Sequence, residues 1–446
     1  MAEWYDNLHP VWQALIRVLL FVGPLLTMVP ALIWFERRVL GWFQDRIGPN
    51  RVGNITFQKK DKWVPEFLRG KKIRLFGLIQ PIADGIKLFL KEDITPSSVD
   101  KVIYFLAPAL ALFPAFALGA TLPWGPFKGL TPVADVNIGV LWIMAISSLG
   151  VYGVVLSGYA SNNKYSLLGG LRSSAQLISY ELGMGVSLAC IALSTGSLKL
   201  TDMVTAQEGP LWGVVPAVSN WNILTPHGAI AAVVFAICMV AETNRAPFDL
   251  PEAENELVAG YHTEYSSMKF AVFFMGEYAA MAVYGGIFAT VFLGGWHMPI
   301  PVRWDYIAES QPMLSGVVSY FQWADFWLAP AWFLLKVWII IFGFVWLRAT
   351  MPRLRYDQLM SLGWKTLLPI ATVNLIVVAT WLLLQEVAGP GPALALSVCT
   401  FAALWIIFRA VTRLEPAKEN FLPNREISMV EVKPAEKPES PEAAVA

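Results

Sequence analysis

Charge is scarce in this 446-residue sequence. Asp, Glu, Lys and Arg make up 15% of it, against roughly 25% in an ordinary soluble domain. With 56% hydrophobic residues, the scarcity argues against a soluble enzyme and against a chain too polar to fold. Charge of one sign is also missing: 33 Lys and Arg stand against 33 Asp and Glu. With no positive excess to neutralise phosphates, a nucleic-acid binder is excluded. Cysteine is nearly absent. Cys190, Cys238 and Cys399 stand singly within apolar runs, which excludes a disulfide scaffold, iron–sulfur ligation and a dithiol couple. His9, His227, His262 and His297 are scattered, and neither HExxH, GxGxxG nor a P-loop is present, so no metal or nucleotide site is expected. Any electron chemistry belongs to a partner chain.

Long apolar runs are what the sequence does have. A bilayer core of about 30 Å needs about 20 mostly apolar helical residues. Nine stretches qualify, at approximately 11–35, 102–122, 138–158, 176–196, 227–245, 269–296, 327–347, 366–387 and 391–408. The first follows Glu3 and Asp6 rather than a basic segment and lacks a small-residue cleavage site, unlike a cleavable signal. The expected fold is all-α and polytopic. A transmembrane helical domain covers 1–410, and a Pro-, Glu- and Lys-rich tail at 411–446 reads as disordered.

Lys and Arg segregate between alternate connections. The first connection, residues 36–101, holds 14 of them. Odd-numbered connections and the tail together hold 28, whereas the even-numbered ones hold only Lys128, Lys199 and Arg303. Basic loops stay cytoplasmic, so the N-terminus is expected outside and the C-terminus in the cytoplasm, with the chain in the inner membrane of a bacterium.

Ionisable groups at membrane depth are costly and therefore functional candidates. Glu181 stands nine residues past Arg172, about 14 Å along its helix, and Glu277 eight residues past Lys269, about 12 Å. The fifth span has only 14 strictly apolar residues, Gly228 to Ala241, so it draws Glu242 and Arg245 toward the membrane. Glu36 and Arg37 close the first span. Four carboxylates from four helices thus approach one depth. Either each is clasped by an Arg, or their burial among few cations favours protonation and makes a proton relay. Lys336 lies mid-span, either snorkelling, paired, or part of the same path.

Residues 242–264 carry Glu242, Asp249, Glu252, Glu254, Glu256 and Glu264 against Arg245 alone. Glu252 and Glu256 stand four apart, where like charges destabilise a helix, and Pro247 and Pro251 forbid a continuous helix at its start. A solvated acidic loop and a proton path are both open readings.

The motifs WFERR at 34–38, RIGPNRVG at 46–53, LIQPIADGIKLFLKE at 78–92, GGLRSSAQLISYELGMG at 169–185, the long acidic block at 241–278 and LRATMPRLRYDQLM at 347–360 resemble one family. It is the H-type membrane subunit of proton-pumping NADH:quinone oxidoreductase, respiratory complex I, in its bacterial form. The resemblance implies a membrane component of a translocase that lines the quinone chamber and docks the hydrophilic arm. That arm carries flavin and iron–sulfur clusters on partner subunits; quinone is the substrate, and membrane lipids are further partners. It also implies coupling of quinone reduction to proton translocation. Carried onto this sequence, Glu36, Asp84, Glu181, Glu242, Asp249, Glu252, Glu256, Glu264 and Glu277 fall on the proton path, with Glu254 a supporting acid. Arg37, Arg46, Arg245 and Phe248 fall at the quinone chamber, and Arg172 at a partner contact.

Gly48 and Pro49 mark a turn that presents Arg46 and Arg51 to a docking partner; contact with lipid phosphate is the alternative for Arg51. Ile82, Ile86 and Phe89 share one helical face suited to the membrane interface, at the quinone entrance or as an ordinary anchor. The family-like core spans about 11–365. An insertion at 54–77 with seven Lys and Arg, and the extra span 391–408, depart from the family pattern. A related energy-converting hydrogenase subunit and a stand-alone transporter are the alternatives, though no internal repeat of the transporter kind is present.

Overall fold

The apolar runs fold as long helices whose ends follow local capping chemistry. The computed structural model describes residues 8–52, 55–56, 72–73, 75–127, 131–213, 215–249, 258–310, 315–389 and scattered positions within 391–403. In chain order the helices are α1 (Pro10–Phe43), α2 (Gln80–Leu90), α3 (Lys101–Gly119), α4 (Gly139–Ala160), α5 (Lys164–Thr195), α6 (Leu200–Ala206), α7 (Pro226–Glu242), α8 (Ser267–Phe292), α9 (Trp304–Ser310), α10 (Ser315–Thr350), α11 (Tyr356–Ser361) and α12 (Leu368–Ala388). A π-helical turn, Leu362–Leu367, joins α11 to α12. The all-α reading holds, with two short ladders added: β1 (Ile55–Thr56) with β2 (Lys72–Ile73), and β3 (Pro210–Leu211) with β4 (Val215–Ser219), both antiparallel.

Seven of these helices are long and apolar enough to cross a membrane, Tyr356–Val387 counting as one; α7 is apolar but shorter, at 17 residues. Eight of the nine expected runs are therefore helical, and 391–408 lies almost entirely outside the described residues, as does the tail. Two helices start 12 residues before their apolar runs: α5 at Lys164 and α10 at Ser315. In α5 the added turns hold small polar residues such as Ser166, Ser173 and Ser174, buried against neighbours, which hydropathy alone discounts. The basic insertion is closed by the β1–β2 ladder, Ile55 opposite Ile73; residues 57–71 lie outside the described residues.

Caps set the helix ends. Asp100 accepts from the amides of Val102 and Ile103, and Asn163 from that of Tyr165, each quenching orphan donors of a first turn. Thr225 caps α7, with Pro226 at its first position. At the far end of α7, Asn244 adopts φ +50°. The Arg245 amide reaches back to the Val240 carbonyl at 3.3 Å and that of Asn244 to Ala241 at 3.2 Å, the paired bonds of a Schellman ending. That ending turns Arg245 beneath the helix rather than out of it.

Met1–Phe401 form one compact unit and Ala402–Ala446 a second. The core of the first runs between α5, α7 and α8, with Phe235, Met184, Ile191 and Phe292 fully buried. Contacts set the relative directions of the helices: Arg348 at the end of α10 meets Glu36 near the end of α1, and Asp325 near the start of α10 meets His297 after α8. Thus α1 and α10 run together and α8 against them, as alternating crossings require.

Candidate carboxylate site

Arg245 is the hub of one acidic group. Its guanidinium lies 3.9 Å from Glu36 of α1 and 3.7 Å from Glu277 of α8, and 4.1 Å over the ring of Tyr278. Tyr278 donates to Glu36 at 2.7 Å, and Arg348 of α10 pairs with the other Glu36 oxygen. Glu36 and Arg245 are 5% and 6% exposed, so this is a buried network that survives only because each charge has partners. Glu277 accepts from the Tyr261 hydroxyl at 2.9 Å.

Tyr261 is positioned by a close approach of backbone. Ser166 of α5 donates to its carbonyl at 2.9 Å, and Gly169 packs so tightly that an added Cβ would lie 2.7 Å from the Gly260 Cα. The paired glycines of the GGLRSS motif are therefore a packing requirement.

A second acidic group is built differently. Glu181 of α5 accepts from Ser147 at 2.9 Å and Ser148 at 2.5 Å, both of α4. Tyr284 of α8 donates to Glu242 at 3.4 Å. Glu242 lies within electrostatic reach of Glu181. Hydroxyls, not cations, surround these two acids among the described residues. Buried Gln176 of α5 donates to the carbonyls of Ala241 and Phe248 at 2.8 and 2.9 Å, locking the turn that follows Glu242.

A cavity of about 80 Å³ joins the groups: Ser147, Glu242 and Tyr284 line it together with Tyr261 and Glu277. It is polar and roomy enough for a few waters.

The other candidates lie apart from this centre. Asp84 of α2 pairs with Arg37 of α1 and takes a 3.1 Å bond from Gln80, tying the amphipathic helix to the first span. Ile82, Ile86 and Phe89 on α2 are exposed. Arg46 bonds Gln44, and Arg51 is exposed on the turn that follows Gly48. Arg172 lies over Tyr356 at 6.0 Å. Asp249 is buried against Arg353 at 3.0 Å, and Phe248 packs on Tyr180. Glu264 accepts from Asn163 at 2.7 Å. Glu252, Glu254 and Glu256 lie outside the described residues.

Lys336 does not join the carboxylates. It donates to the carbonyls of Leu293 and Gly295 at 2.6 and 3.0 Å and lies 4.6 Å over Trp221. Leu293 is nine residues beyond Tyr284 on α8, roughly 14 Å further along the helix.

Sequence reasoning missed the hydroxyl residues and Arg348. Tyr284 carries one signal, two turns from Glu277 on the same face; Ser147 and Ser148 carry none, being ordinary small residues of an apolar helix.

The family model described as NADH dehydrogenase matches residues 16–379 of the chain. One H-type subunit of NADH-quinone oxidoreductase from Geobacter metallireducens, the first of its numbered copies, is 45% identical over 377 residues, 83% of this chain and 96% of its own length. The second numbered copy from Koribacter versatilis is 43% identical over 388 residues, 83% of this chain and 97% of its own. The corresponding H-type subunit of Paramagnetospirillum magneticum is 44% identical over 385 residues, 85% and 96% respectively.

Proposed function

The chain belongs to the NADH dehydrogenase family, as a relative of the H-type subunits of NADH-quinone oxidoreductase, and from that premise we propose that it couples quinone reduction to proton movement through its buried carboxylates. It is a multi-pass membrane component of such an oxidoreductase complex. Flavin and iron–sulfur clusters belong to partner subunits, and quinone is the substrate. The segregation of Lys and Arg supports a cytoplasmic position for the carboxylate end of the bundle.

The observation that carries the reading is one small cavity of about 80 Å³ lined by Ser147, which bonds Glu181, by Glu242 with its donor Tyr284, and by Glu277. Two-electron reduction of a quinone creates negative charge that must be met by protons. Two carboxylates in one enclosed site accommodate a single shared proton more readily than two charges. Hydroxyls between them can accept and donate in turn. Arg245, held between Glu36 and Glu277, answers a change of charge on either acid. At the edge, the Arg37–Asp84 pair holds α2 beside α1, so the exposed face of Ile82, Ile86 and Phe89 forms an apolar lip at the quinone entrance. Arg46, Arg51 and Arg172 face the docked redox arm.

Purification is the first test. The protein should copurify with flavin and iron–sulfur subunits; isolation of the chain alone would sink the reading. In the assembled complex, Glu242→Gln should lower quinone reductase activity about tenfold and leave NADH oxidation by an artificial acceptor intact. Equal loss of both activities would mean failed assembly instead.

A further inference from the structure

Two adjoining cavities lie outside the carboxylate site, one at the far end of the bundle and the other running from it along α8 as deep as Ala282 and Val283. One is polar, about 610 Å³, and is lined by Asp135, Lys199, Glu208, Arg303, Asp305 and Asp325 among others. The other is an apolar slot of about 230 Å³ between α1, α8 and α10. Pro24 of α1 and Pro330 of α10 face it; a proline inside a helix bends it and opens space beside the neighbour. The two cavities meet at one aromatic wall. Trp124 lines the slot and lies tilted against Phe127, which lines the polar cavity, at 6.3 Å between ring centres. Gly125 of the polar cavity approaches Pro330 of the slot, a Cβ there lying 3.8 Å from its ring. Phe326, Trp327, Trp323 and Tyr320 of α10 are exposed at this level, the placement of aromatic side chains at a membrane interface.

The charges of the polar cavity are not all spent on one another. Lys199 pairs with Asp135 at 2.7 Å, and His297 sits between Glu208 at 3.0 Å and Asp325 at 3.6 Å. Arg303 and Asp305 are different. Arg303 donates to the Pro216 carbonyl at 3.3 Å and meets no carboxylate among the described residues. Asp305 accepts from the neutral amide of Gln322 at 2.6 Å and meets no described cation. One uncommitted cation and one uncommitted acid, two residues apart, complement a zwitterion whose phosphate and ammonium are separated by two carbons.

We propose that these cavities together hold one zwitterionic aminophospholipid, its phosphate on Arg303, its ammonium on Asp305 and one acyl chain in the slot. Lipid tails are as apolar as the slot, so the slot gains no hydrophobic energy over the bilayer. It selects shape, and retention comes from the headgroup contacts. Charge-assisted bonds of this kind are the stronger ones.

The test uses the assembled membrane complex in mild detergent, exchanged against nanodiscs containing equal phosphatidylethanolamine and phosphatidylglycerol, with retained lipid measured by mass spectrometry. The wild type should retain phosphatidylethanolamine preferentially. Arg303→Gln and Asp305→Asn should each weaken that retention about tenfold, and Leu334→Trp, which fills the slot, should do the same without touching the headgroup site. Retention of both lipids in proportion to supply, or equal loss of both in the variants, overturns the proposal. A photoactivatable phosphatidylethanolamine in wild-type membranes provides a check independent of variant assembly. It should label slot-lining segments of α1 or α10, and labelling confined to other segments also overturns it.

Discussion

Glu36 and Glu277 are held by arginines, whereas Glu181 and Glu242 are held by hydroxyls. Both pairs are enclosed, both come from helices of the same bundle, and one small cavity connects them. What differs is the partner. An arginine fixes a carboxylate as an anion and binds helices together; removing either member leaves a stranded charge. A serine or tyrosine hydroxyl bonds a carboxylate in either protonation state. In the proposed mechanism the arginine-held group fixes geometry and passes on changes of charge, and the hydroxyl-held group changes its proton content.

The sharpest way to break this contrast is Arg245→Met. It removes the guanidinium that Glu36 and Glu277 share, leaving Arg348 on Glu36, and loss of one member of a buried ion network costs ~3–5 kcal/mol. The assembled complex should fall in yield and in Tm. Arg245→Lys should recover only part of the loss, since an ammonium lacks the guanidinium fork and its stacking on Tyr278. An unchanged Tm for Arg245→Met would erase the distinction between the two groups.

Glu181→Gln and Glu242→Gln probe the other side. An amide keeps the shape and still accepts from hydroxyls, so stability should change by about 1 kcal/mol or less and Tm should move far less than in Arg245→Met. Coupled quinone reductase activity should nonetheless fall about tenfold. In the proposed mechanism the two acids act as one unit, so the double variant should be little worse than either single one. Additive losses would show two independent acids. Tyr284→Phe removes the bond to Glu242; a loss of roughly fivefold in the same assay, at unchanged Tm, is expected.

How much of this was legible in the sequence follows from the same contrast. Eight apolar runs announced eight helices, and the shortness of the α7 run announced that Glu242 and Arg245 are drawn inward. Residue depth along single helices also placed Glu36, Glu181, Glu242 and Glu277 near one level. Which acid meets which partner was not readable, because that depends on helix rotation and on residues with no charge to attract notice. Ser147, Ser148 and Tyr284 look like filler in apolar helices until α4, α5 and α8 are packed. The partners of Lys336 were hidden for the opposite reason. Its charge at mid-span suggested the relay, but a cation also satisfies carbonyls at a helix end, and there it binds Leu293 and Gly295.

Acid should separate the two groups by a smaller amount. His262 lies in the turn Gly260–His262, against Tyr261 at 4.9 Å and Phe270 at 5.4 Å. Burial pushes its imidazole down to about 4 from its usual 6.5. A histidine held neutral in the fold binds fewer protons there than in the unfolded chain, so its contribution is present above pH 6.5 and is lost as pH falls toward 4. Its neighbour Tyr261 is the hydroxyl partner of Glu277, so this loss reaches the arginine-held group first. Tm of the complex should therefore drop between about pH 6.5 and about pH 4.5 by more in the wild type than in His262→Gln, which has no proton to gain. A common slope in both proteins would place the acid sensitivity elsewhere, in the carboxylates themselves, and would remove the turn as the point where pH meets the arginine network.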